Sequence, residues 1–329
     1  MSALNTENVL RVGLVGAGDF GRCHLQTLTS LGEAQPAAVV DSDPERLASI
    51  SDVPTWTDLH AALREAEVDA WIVATPTATH ISIATALLDA GFPVLLEKPL
   101  APSLAEAGQL ASHVTGDSSN LMLGHIVLFN SEFRALRKEV VTRSALRHVS
   151  CCRMRSTDHL ERYPGESPLF LTMVHDLYCV QALVEGAEPV TISAQRRLTD
   201  TGATDLVLAQ LAFPGGFLAS LRAGFVTPPG MPDNGYDRME LFGDDWAARL
   251  SSNPRPIELW DSHARSPMSI EILDDADGSV GMLAEELRCF CRVVRGQQTV
   301  PVGARYTDGM QLIRWMQALQ DHMEESDAG

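Results

Sequence analysis

The sequence predicts an α/β fold made of two parts. Up to about residue 125, short apolar strands alternate with helices, which predicts a doubly wound parallel sheet covered by helices on both faces. After Ala145, strands with alternating apolar residues prevail, which predicts an α/β domain with a large, mostly antiparallel open sheet. In a chain of 329 residues we therefore expect two domains, residues 1–125 and 126–329.

The strongest local pattern is a strand, a glycine-rich turn and a helix between Val9 and Leu31. The turn is Gly16-Ala17-Gly18-Asp19-Phe20-Gly21, and its spacing lets the backbone approach a diphosphate at the start of a helix. Asp41 follows the next apolar run, where a carboxylate can accept both ribose hydroxyls and repel a 2′-phosphate. This combination predicts a Rossmann domain that binds NAD in preference to NADP.

The other elements of the first part follow in chain order. They are a helix from Pro44, capped by Asp43, an extended piece at 53–56, a helix at 58–66, a strand at 70–74, a helix at 78–90, a strand at 93–96, a helix at 103–114 and a strand at 121–124. The carboxyl ends of parallel strands meet at one sheet edge, where ligands bind. We therefore expect the cofactor there, at the glycine turn, Asp41, Thr75-Pro76-Thr77 and Glu97-Lys98.

The second part contains five predicted strands and three long helices. The strands cover 146–155, 191–197, 205–213, 217–225 and 238–243, and the helices cover 169–184, 280–295 and 308–322. Pro214-Gly215-Gly216 predicts a hairpin turn. The strand at 205–213 is apolar on both faces, so we expect a homo-oligomer, a homodimer or homotetramer, formed through this sheet.

Composition argues against several classes of partner. A formal net charge of −18 argues against binding to nucleic acid or to an anionic membrane surface. We expect no leader segment and no membrane-spanning segment, since no apolar run is long enough to cross a bilayer. The six cysteines form no CxxC pair, so we expect free thiols in a reducing cytoplasm and no metal site.

Several stretches together resemble the glucose–fructose oxidoreductase / inositol dehydrogenase / rhizopine-catabolism (Gfo/Idh/MocA) family. They are GLVGAGDFG at 13–21, VVDSDPER at 39–46, VPTWTDLHAAL at 53–63, VATPTATH at 73–80, LLEKPLA at 95–101, GHIVLFN at 124–130, VHDL at 174–177, MELFGDD at 239–245 and EELRCF at 285–290. The resemblance implies an oxidoreductase that transfers hydride between bound NAD or NADP and a ring hydroxyl or ketone of a sugar, inositol or sugar nucleotide. It also implies a Lys98–Pro99 peptide that is often cis.

Such chemistry needs a base for the hydroxyl proton and a cation for the developing alkoxide. Lys98, at the exit of a core strand, can supply the cation. His175 is the candidate base, because VHDL resembles the histidine motif of the family. By itself, a histidine among apolar helix residues would be interpreted as a core residue.

One position departs from the family pattern. Family members usually carry an aspartate one helical turn before this histidine, and Leu171 stands there. Thr172 could hold the imidazole instead, or Asp158 or His159 could fill the role. Alternatively, the protein binds cofactor and ligand without rapid turnover. Asp176 is a poor substitute, because adjacent helix positions do not face each other.

The remaining candidates are polar residues near the expected substrate. His80 resembles a loop histidine of the family that contacts the cofactor, although capping and packing explain it equally well. His125 and Asn130 match the GHxxxFN stretch and are candidate substrate residues, as are Thr172, Asp158 and Tyr163. Arg153, Arg155 and Arg162 could bind a phosphate or sugar carboxylate, but strand and loop arginines are more often solvated.

Two other functions stay open at this point. The first is a ligand-sensing or regulatory protein that binds NAD(P) and a sugar-like ligand with weak catalysis, which Leu171 favours. The second is a nucleotide-binding subunit that serves assembly. Intact Lys98 and His175 favour the enzyme.

Overall fold

The computed structural model describes residues 9–143, 145–231, 236–251, 259–260, 264–265 and 281–327. The chain divides into two compact units. The first contains the residues up to Phe129 and the described residues between 255 and 310, and the second contains 130–254 and 311–329. The division by sequence placed all residues after 125 in the second domain, whereas the first unit also takes a late segment of the chain.

The first unit is built on a six-stranded parallel sheet, which confirms the predicted Rossmann architecture. Its strands are β1 (Leu10–Val15), β2 (Ala34–Val40), β3 (Thr55–Trp56), β4 (Ala70–Val73), β5 (Val94–Glu97) and β6 (Leu121–Gly124). They lie in the order β3-β2-β1-β4-β5-β6, so the direction of winding reverses beside β1. The strands β4, β5 and β6 are buried throughout, as their continuous apolar sequences predict.

Helices connect these strands. They are α1 (Asp19–Ser30), α2 (Pro44–Leu47), α3 (Leu59–Glu65), α4 (His80–Asp89) and α5 (Leu104–Gly108). The side chains of Asp43, Asp58 and Ser103 cap three of them by accepting a backbone N–H, so these helices begin where the sequence predicts. The fifth helix is shorter than the predicted 103–114 and ends at Gly108, where glycine weakens the helix.

A helix from late in the chain completes the first unit. This is α9 (Met282–Val294), and it packs against α1 and against a 3₁₀ turn at Ile126–Phe129. Its apolar face, including Leu283, Leu287 and Phe290, is buried. The core of the first unit is therefore closed by residues more than 150 positions beyond the end of its parallel sheet at Gly124.

The second unit contains a six-stranded, mostly antiparallel sheet, as predicted. Its strands are β7 (Leu146–Ser156), β8 (Thr191–Leu198), β9 (Thr204–Ala212), β10 (Leu218–Thr227), β11 (Tyr236–Gly243) and β12 (Ala247–Leu250), in the order β12-β11-β7-β10-β9-β8. A hairpin turn at Pro214–Gly216 joins β9 to β10, and β7 and β10 form the one parallel pair among these strands. Two short strands at Leu259–Trp260 and Ala264–Arg265, which belong to the first unit, pair with each other.

The two faces of this second sheet differ in burial. Val207, Leu211 and Leu221 point into the core and are at most 1% exposed. On the opposite face Leu208 is 40% exposed and Leu218 is 51% exposed. The face that carries Leu208, Leu218 and Phe242 is called the outer sheet face below.

Helices of the second unit are α6 (Ser131–Thr142), α7 (His159–Arg162), α8 (Val174–Leu183) and α10 (Tyr306–Asp327), of which α10 begins in the first unit. The predicted helix at 169–184 is α-helical only from Val174. Its first turn, Leu169–Met173, is a wider π turn, in which the Thr172 hydroxyl donates to the carbonyl of Pro168 at 2.8 Å.

Two sequence expectations concern the whole chain. All six cysteines are free thiols, five of them buried. Within the described residues, no helix combines the length and the apolar character that crossing a membrane would require.

Candidate functional site

The glycine turn has a conformation that favours glycine. Gly16 has φ +99°, and a Cβ at this position would lie 2.3 Å from the carbonyl oxygen of Ala74. A Cβ on Gly21 would lie 1.9 Å from the carbonyl oxygen of Gly16, so α1 can pack against the turn only if residue 21 is glycine. Gly18 caps the start of α1, and a Cβ added there would have the guanidinium of Arg46 as its neighbour, at 3.6 Å.

Asp41 is fixed at the end of β2 by two backbone groups. Its carboxylate accepts the N–H of Ala17 at 2.7 Å and that of Asp43 at 2.9 Å, and the side chain is 8% exposed. The guanidinium of Arg46 lies 3.8 Å away and is itself about half exposed. Asp41 therefore ties the glycine turn to the start of α2, and each of its oxygens keeps a further lone pair for a ligand.

A cavity of about 480 Å³ opens beside these groups. It is lined by Gly16, Asp41, Ser42, Asp43, Arg46, Thr57, Thr75, Pro76 and Thr79, among others. Its volume lies in the range of small-molecule sites. The lining also suits a nucleoside, because the buried carboxylate of Asp41 faces a space that is bordered by strand ends. The loop residues Thr75 and Thr77 are half-buried and Pro76 is exposed.

His80 joins the loops that follow β4 and β5. Its Nδ1 lies 2.8 Å from the carbonyl oxygen of Pro99 and its Nε2 lies 2.9 Å from that of Thr75. The ring is fully buried, and burial lowers its pKa, while the two carbonyl contacts act in the opposite direction. The structure thus places His80 between two backbone segments of the site, with both ring nitrogens facing carbonyl groups.

Glu97 belongs to a buried cluster with His24 and Glu286. Glu97 Oε1 lies 2.8 Å from Nε2 of His24, and Glu97 Oε2 accepts the backbone N–H of Lys98 at 3.3 Å. One nitrogen or oxygen from each of the three residues lies within 4.8 Å of the others, a set of residue types that could ligate a metal. Glu97 therefore connects α1, α9 and the strand exit that carries Lys98.

Glu286 is the unexpected member of this cluster. It is fully buried in α9, and within the described structure neither carboxyl oxygen has a hydrogen-bond partner. Burial and the nearby charge of Glu97 raise its pKa well above the usual value, which favours the protonated acid. Sequence reasoning missed Glu286 and His24, because nothing in either local sequence indicates that they meet.

Lys98 follows β5 and is half-buried. The Lys98–Pro99 peptide is cis, as the family resemblance implied. The charge of Lys98 also acts on His125, whose pKa falls to about 4, chiefly through burial. Lys98 and His125 are therefore near one another in the first unit, beside the exits of β5 and β6.

Three of the predicted substrate residues are used within the protein. His125 is 1% exposed, and its Nδ1 hydrogen-bonds the carbonyl of Gly303. Asn130 caps α6 by accepting the backbone N–H of Phe133 at 2.8 Å. Thr172 is buried, with its hydroxyl on the carbonyl of Pro168. All three are bound to backbone groups: His125 to distant Gly303, and Asn130 and Thr172 to residues within one helical turn.

The other two lie near the surface of the second unit. Asp158 precedes α7 and is exposed, and its side chain makes no capping hydrogen bond. Tyr163 is half-buried, its ring centroid lies 5.5 Å from that of His159, and it lines a cavity of about 320 Å³. That cavity is bordered by Ser167, Phe170 and Arg196, among others.

His175 lies on α8, where a neighbouring side chain contacts its ring. Its Nδ1 is 2.7 Å from the hydroxyl of Tyr178, three residues later on the helix, and the two rings meet edge to face. Tyr178 is fully buried, whereas His175 is half-buried. Sequence reasoning missed Tyr178, although three residues is a spacing at which helix side chains meet.

Beneath α8 lies a buried network of charges. Arg153 donates to Asp176 at 3.0 Å and to Asp237 at 2.9 Å, and Arg155 donates to Asp237 at 2.6 Å. Burial opposes the charge of Arg153, but the two carboxylates raise its pKa. The expectation that Arg153 is a solvated strand residue is wrong, since it is 3% exposed. Asp176 anchors α8 to the sheet, which leaves His175 on the more exposed side of the helix.

Two family models match the chain. The first, described as an oxidoreductase family with an NAD-binding Rossmann fold, matches residues 10–125. The second, the GFO/IDH/MocA C-terminal domain, matches residues 121–249. Together they cover both sheets described above.

Individual proteins are similar over much of the same chain. An inositol 2-dehydrogenase from Saccharopolyspora erythraea is 31% identical over 250 residues, which are 71% of this chain and 72% of that protein. An inositol 2-dehydrogenase from Leifsonia xyli is 37% identical, over 43% of each chain. The crystal structure of myo-inositol 2-dehydrogenase from Lactobacillus plantarum has the same fold, with TM-score 0.81, 18% identity and coverage of 97% of this chain and 98% of that one.

Proposed function

We propose that this chain, which belongs to the Gfo/Idh/MocA family of oxidoreductases, is an NAD-dependent dehydrogenase of a polyhydroxylated ring compound. One observation carries the proposal. The exits of β2, β4 and β5 in one parallel sheet bear Asp41 beside a nucleoside-sized cavity, the Thr75–Thr77 loop and Lys98. A family oxidoreductase with both cofactor and cation positions intact is best explained as an enzyme.

The cofactor is NAD in preference to NADP. Asp41 is held by the N–H groups of Ala17 and Asp43, so its carboxylate stays at the edge of the cavity, where it would repel a 2′-phosphate. The exposed guanidinium of Arg46 is the group that would favour NADP, but it lies against Asp41. Gly16, Gly18, Asp19, Phe20 and Gly21 would hold the diphosphate at the start of α1.

When bound, the nicotinamide accepts or supplies the hydride; the protein supplies the proton transfer and the electrostatics. Lys98 stabilises the negative charge that develops on the substrate oxygen. His175 takes the hydroxyl proton during oxidation and returns it during reduction. The first role is supported by the position of Lys98 next to the anchored Glu97, and the second by the contact that holds the imidazole through Nδ1.

The substrate class is a cyclic polyol, an inositol or a sugar. Two relatives that match this chain are inositol 2-dehydrogenases.

We assign cofactor binding to residues 1–125, and substrate binding and oligomerisation to residues 126–329. Because His125, Asn130 and Thr172 hydrogen-bond backbone groups, they shape the backbone around the substrate. Asp158 and Tyr163 lie nearer the surface, and they would contact the substrate directly.

A second copy of the chain covers the outer sheet face. This face carries Leu208, Leu218 and Phe242 at 40–51% exposure, and it also bears Arg222 and Glu240. Large apolar side chains grouped on one sheet face, with charges of both signs among them, suit a self-complementary interface. We also propose a cytoplasmic location, which the six free cysteines support.

One experiment tests the activity. Purified protein is mixed with NAD or NADP and a panel of inositols, free sugars and sugar nucleotides, and nicotinamide absorbance is followed. Lys98→Ala and His175→Gln should each lower kcat by about 10²–10⁴-fold. Lys138, the second of the two lysines in the sequence and exposed on α6, supplies the matched control Lys138→Ala, and His60, on α3 of the first unit, supplies His60→Gln.

The alternative is a ligand-sensing protein with weak catalysis, favoured by Leu171. If no panel member reacts in either direction while NADH binds tightly, this alternative replaces the enzyme. Reaction of one polyol, lost in both site variants and kept in both controls, would exclude it.

A further inference from the structure

Leu171 stands where the family pattern places a carboxylate beside the imidazole of His175. The substitutes that the sequence suggested have other positions or partners. The Thr172 hydroxyl is bonded to Pro168, and Asp158 is exposed before α7. His159 is buried beside the ring of Phe225, and Asp176 faces Arg153 at 3.0 Å.

Tyr178 does contact the imidazole. Its hydroxyl oxygen lies 2.7 Å from Nδ1 of His175, and its ring is fully buried, with centroids 5.6 Å apart and planes at 76°. A buried tyrosine has few alternative rotamers, so its oxygen is a fixed point. The contact therefore sets the orientation of the imidazole ring.

The number of protons on the imidazole sets the direction of this hydrogen bond. A neutral imidazole has one N–H and one nitrogen lone pair. A base that accepts the substrate proton on Nε2 must carry its own hydrogen on Nδ1, and the Tyr178 oxygen has the lone pairs to accept it. When Nε2 gains the proton, Nδ1 keeps its hydrogen, so the contact survives the whole transfer.

We propose that Tyr178 is the positioning residue for His175: its hydroxyl oxygen accepts the Nδ1–H and fixes the tautomer in which Nε2 can receive a proton. This assignment rests on the proposed role of His175 as a base. Tyr178 orients the imidazole, as a carboxylate would, but it does not supply the negative charge of a carboxylate. A phenol is neutral at pH 7, so it contributes no negative charge to the imidazolium form.

The surroundings of Tyr178 support this arrangement. Tyr178 interacts electrostatically with Arg153, which belongs to the buried network with Asp176 and Asp237. Asp176, the residue next to His175, holds α8 through its ion pair with Arg153, while Tyr178 holds the imidazole through its hydroxyl.

The first test does not depend on activity. Protein labelled with ¹⁵N at histidine is observed by long-range ¹H–¹⁵N correlation, and His175 is assigned by the loss of its signals in His175→Gln. We expect the Nδ1–H tautomer in the wild-type protein and a shift toward the Nε2–H tautomer in Tyr178→Phe. A wild-type Nε2–H tautomer overturns the proposal, and this spectrum decides even if Tyr178→Phe does not fold.

The second test uses the reaction. Tyr178→Phe should lower kcat about 10–100-fold with KM for the polyol within about threefold, because positioning acts on the proton transfer. The acid limb of the kcat/KM profile should move to lower pH by about half to one pH unit, since the imidazolium loses its acceptor. Tyr236→Phe, at a 40% exposed tyrosine, is the matched control and should match wild type.

The outcomes separate the two proposals. Wild-type kinetics and an unchanged tautomer in Tyr178→Phe refute the role of Tyr178 while leaving the dehydrogenase intact. A wild-type protein that shows the Nδ1–H tautomer but oxidises no polyol refutes the proposed function and leaves the hydrogen bond assignment standing.

Discussion

Replacing Glu286 by glutamine should stabilise the protein, and the gain should grow with pH. Glu286 is fully buried on α9, has no hydrogen-bond partner within the described structure and lies near the carboxylate of Glu97. Its pKa is raised well above the usual value, first by burial and then by Glu97. Between the unfolded and the folded pKa, the folded protein therefore keeps a proton that the unfolded chain releases.

The sign and the size follow from proton linkage. A carboxyl group whose pKa is higher in the folded state makes its full contribution to the free energy of unfolding only below its unfolded pKa of about 4.3. Above that value the unfolded chain loses the proton while the folded protein retains it. The free energy of unfolding then falls by about 1.4 kcal/mol for each pH unit, up to the folded pKa. A glutamine has nearly the shape of the neutral acid and does not titrate.

The assay is urea unfolding of wild type and Glu286→Gln at several values between about pH 5 and pH 8. Fluorescence of the five tryptophans, including buried Trp71 in the first unit, reports the transition. The difference between the two proteins should widen by about 1.4 kcal/mol per pH unit. Glu324→Gln, at an exposed position on α10, should show no such trend. Parallel curves for wild type and Glu286→Gln would mean that Glu286 is ionised in the folded protein, and the reasoning would fail.

Three further outcomes are expected. Gly21→Ala should weaken NADH binding at least about tenfold in a fluorescence titration, because the added Cβ overlaps a carbonyl oxygen, whereas Gly32→Ala, with open space around it, should bind normally. His125 has a folded pKa of about 4 against an ordinary 6.5, so between these values the unfolded chain binds more protons than the folded protein. Acidification through this interval should therefore lower the free energy of unfolding by up to about 3 kcal/mol, as measured in urea, and His125→Asn should not show this loss. Leu218→Arg on the outer sheet face should lower the mass measured by light scattering after gel filtration, whereas Val141→Arg, 71% exposed on α6, should not; equal masses would contradict the proposed interface.

Sequence alone predicted the elements that depend on local pattern. The strand–turn–helix at Gly16–Gly21, the caps at Asp43 and Asp58, and the hairpin at Pro214–Gly216 each require particular residues at fixed short spacing. The same logic placed Asp41 and Lys98 at one sheet edge, because parallel strands align their carboxyl ends. These expectations rest on geometry that neighbouring residues impose on one another.

Contacts between distant residues were not predictable in this way. Glu286 meets His24 and Glu97 only after the chain has passed through the second sheet, and glutamates on amphipathic helices are usually exposed. Arg153 looked like a solvated strand residue, since its two aspartate partners lie 23 and 84 positions away. The contact between Tyr178 and His175 is local, at three residues on one helix, but the largely apolar sequence of this helix does not indicate it.

The placement of α9 has a consequence for how the protein is made. The ribosome delivers all six strands of the first sheet before it begins the second, yet the helix that covers α1 and the Ile126–Phe129 turn arrives only with Met282–Val294. Throughout that interval the apolar surface beside α1 stays open on the nascent chain, and Glu286 cannot yet meet Glu97. The second unit, whose strands β7 to β12 all emerge before α9, can form its sheet first. The first unit is thus begun first, but its core is completed only after every strand of the second sheet has emerged.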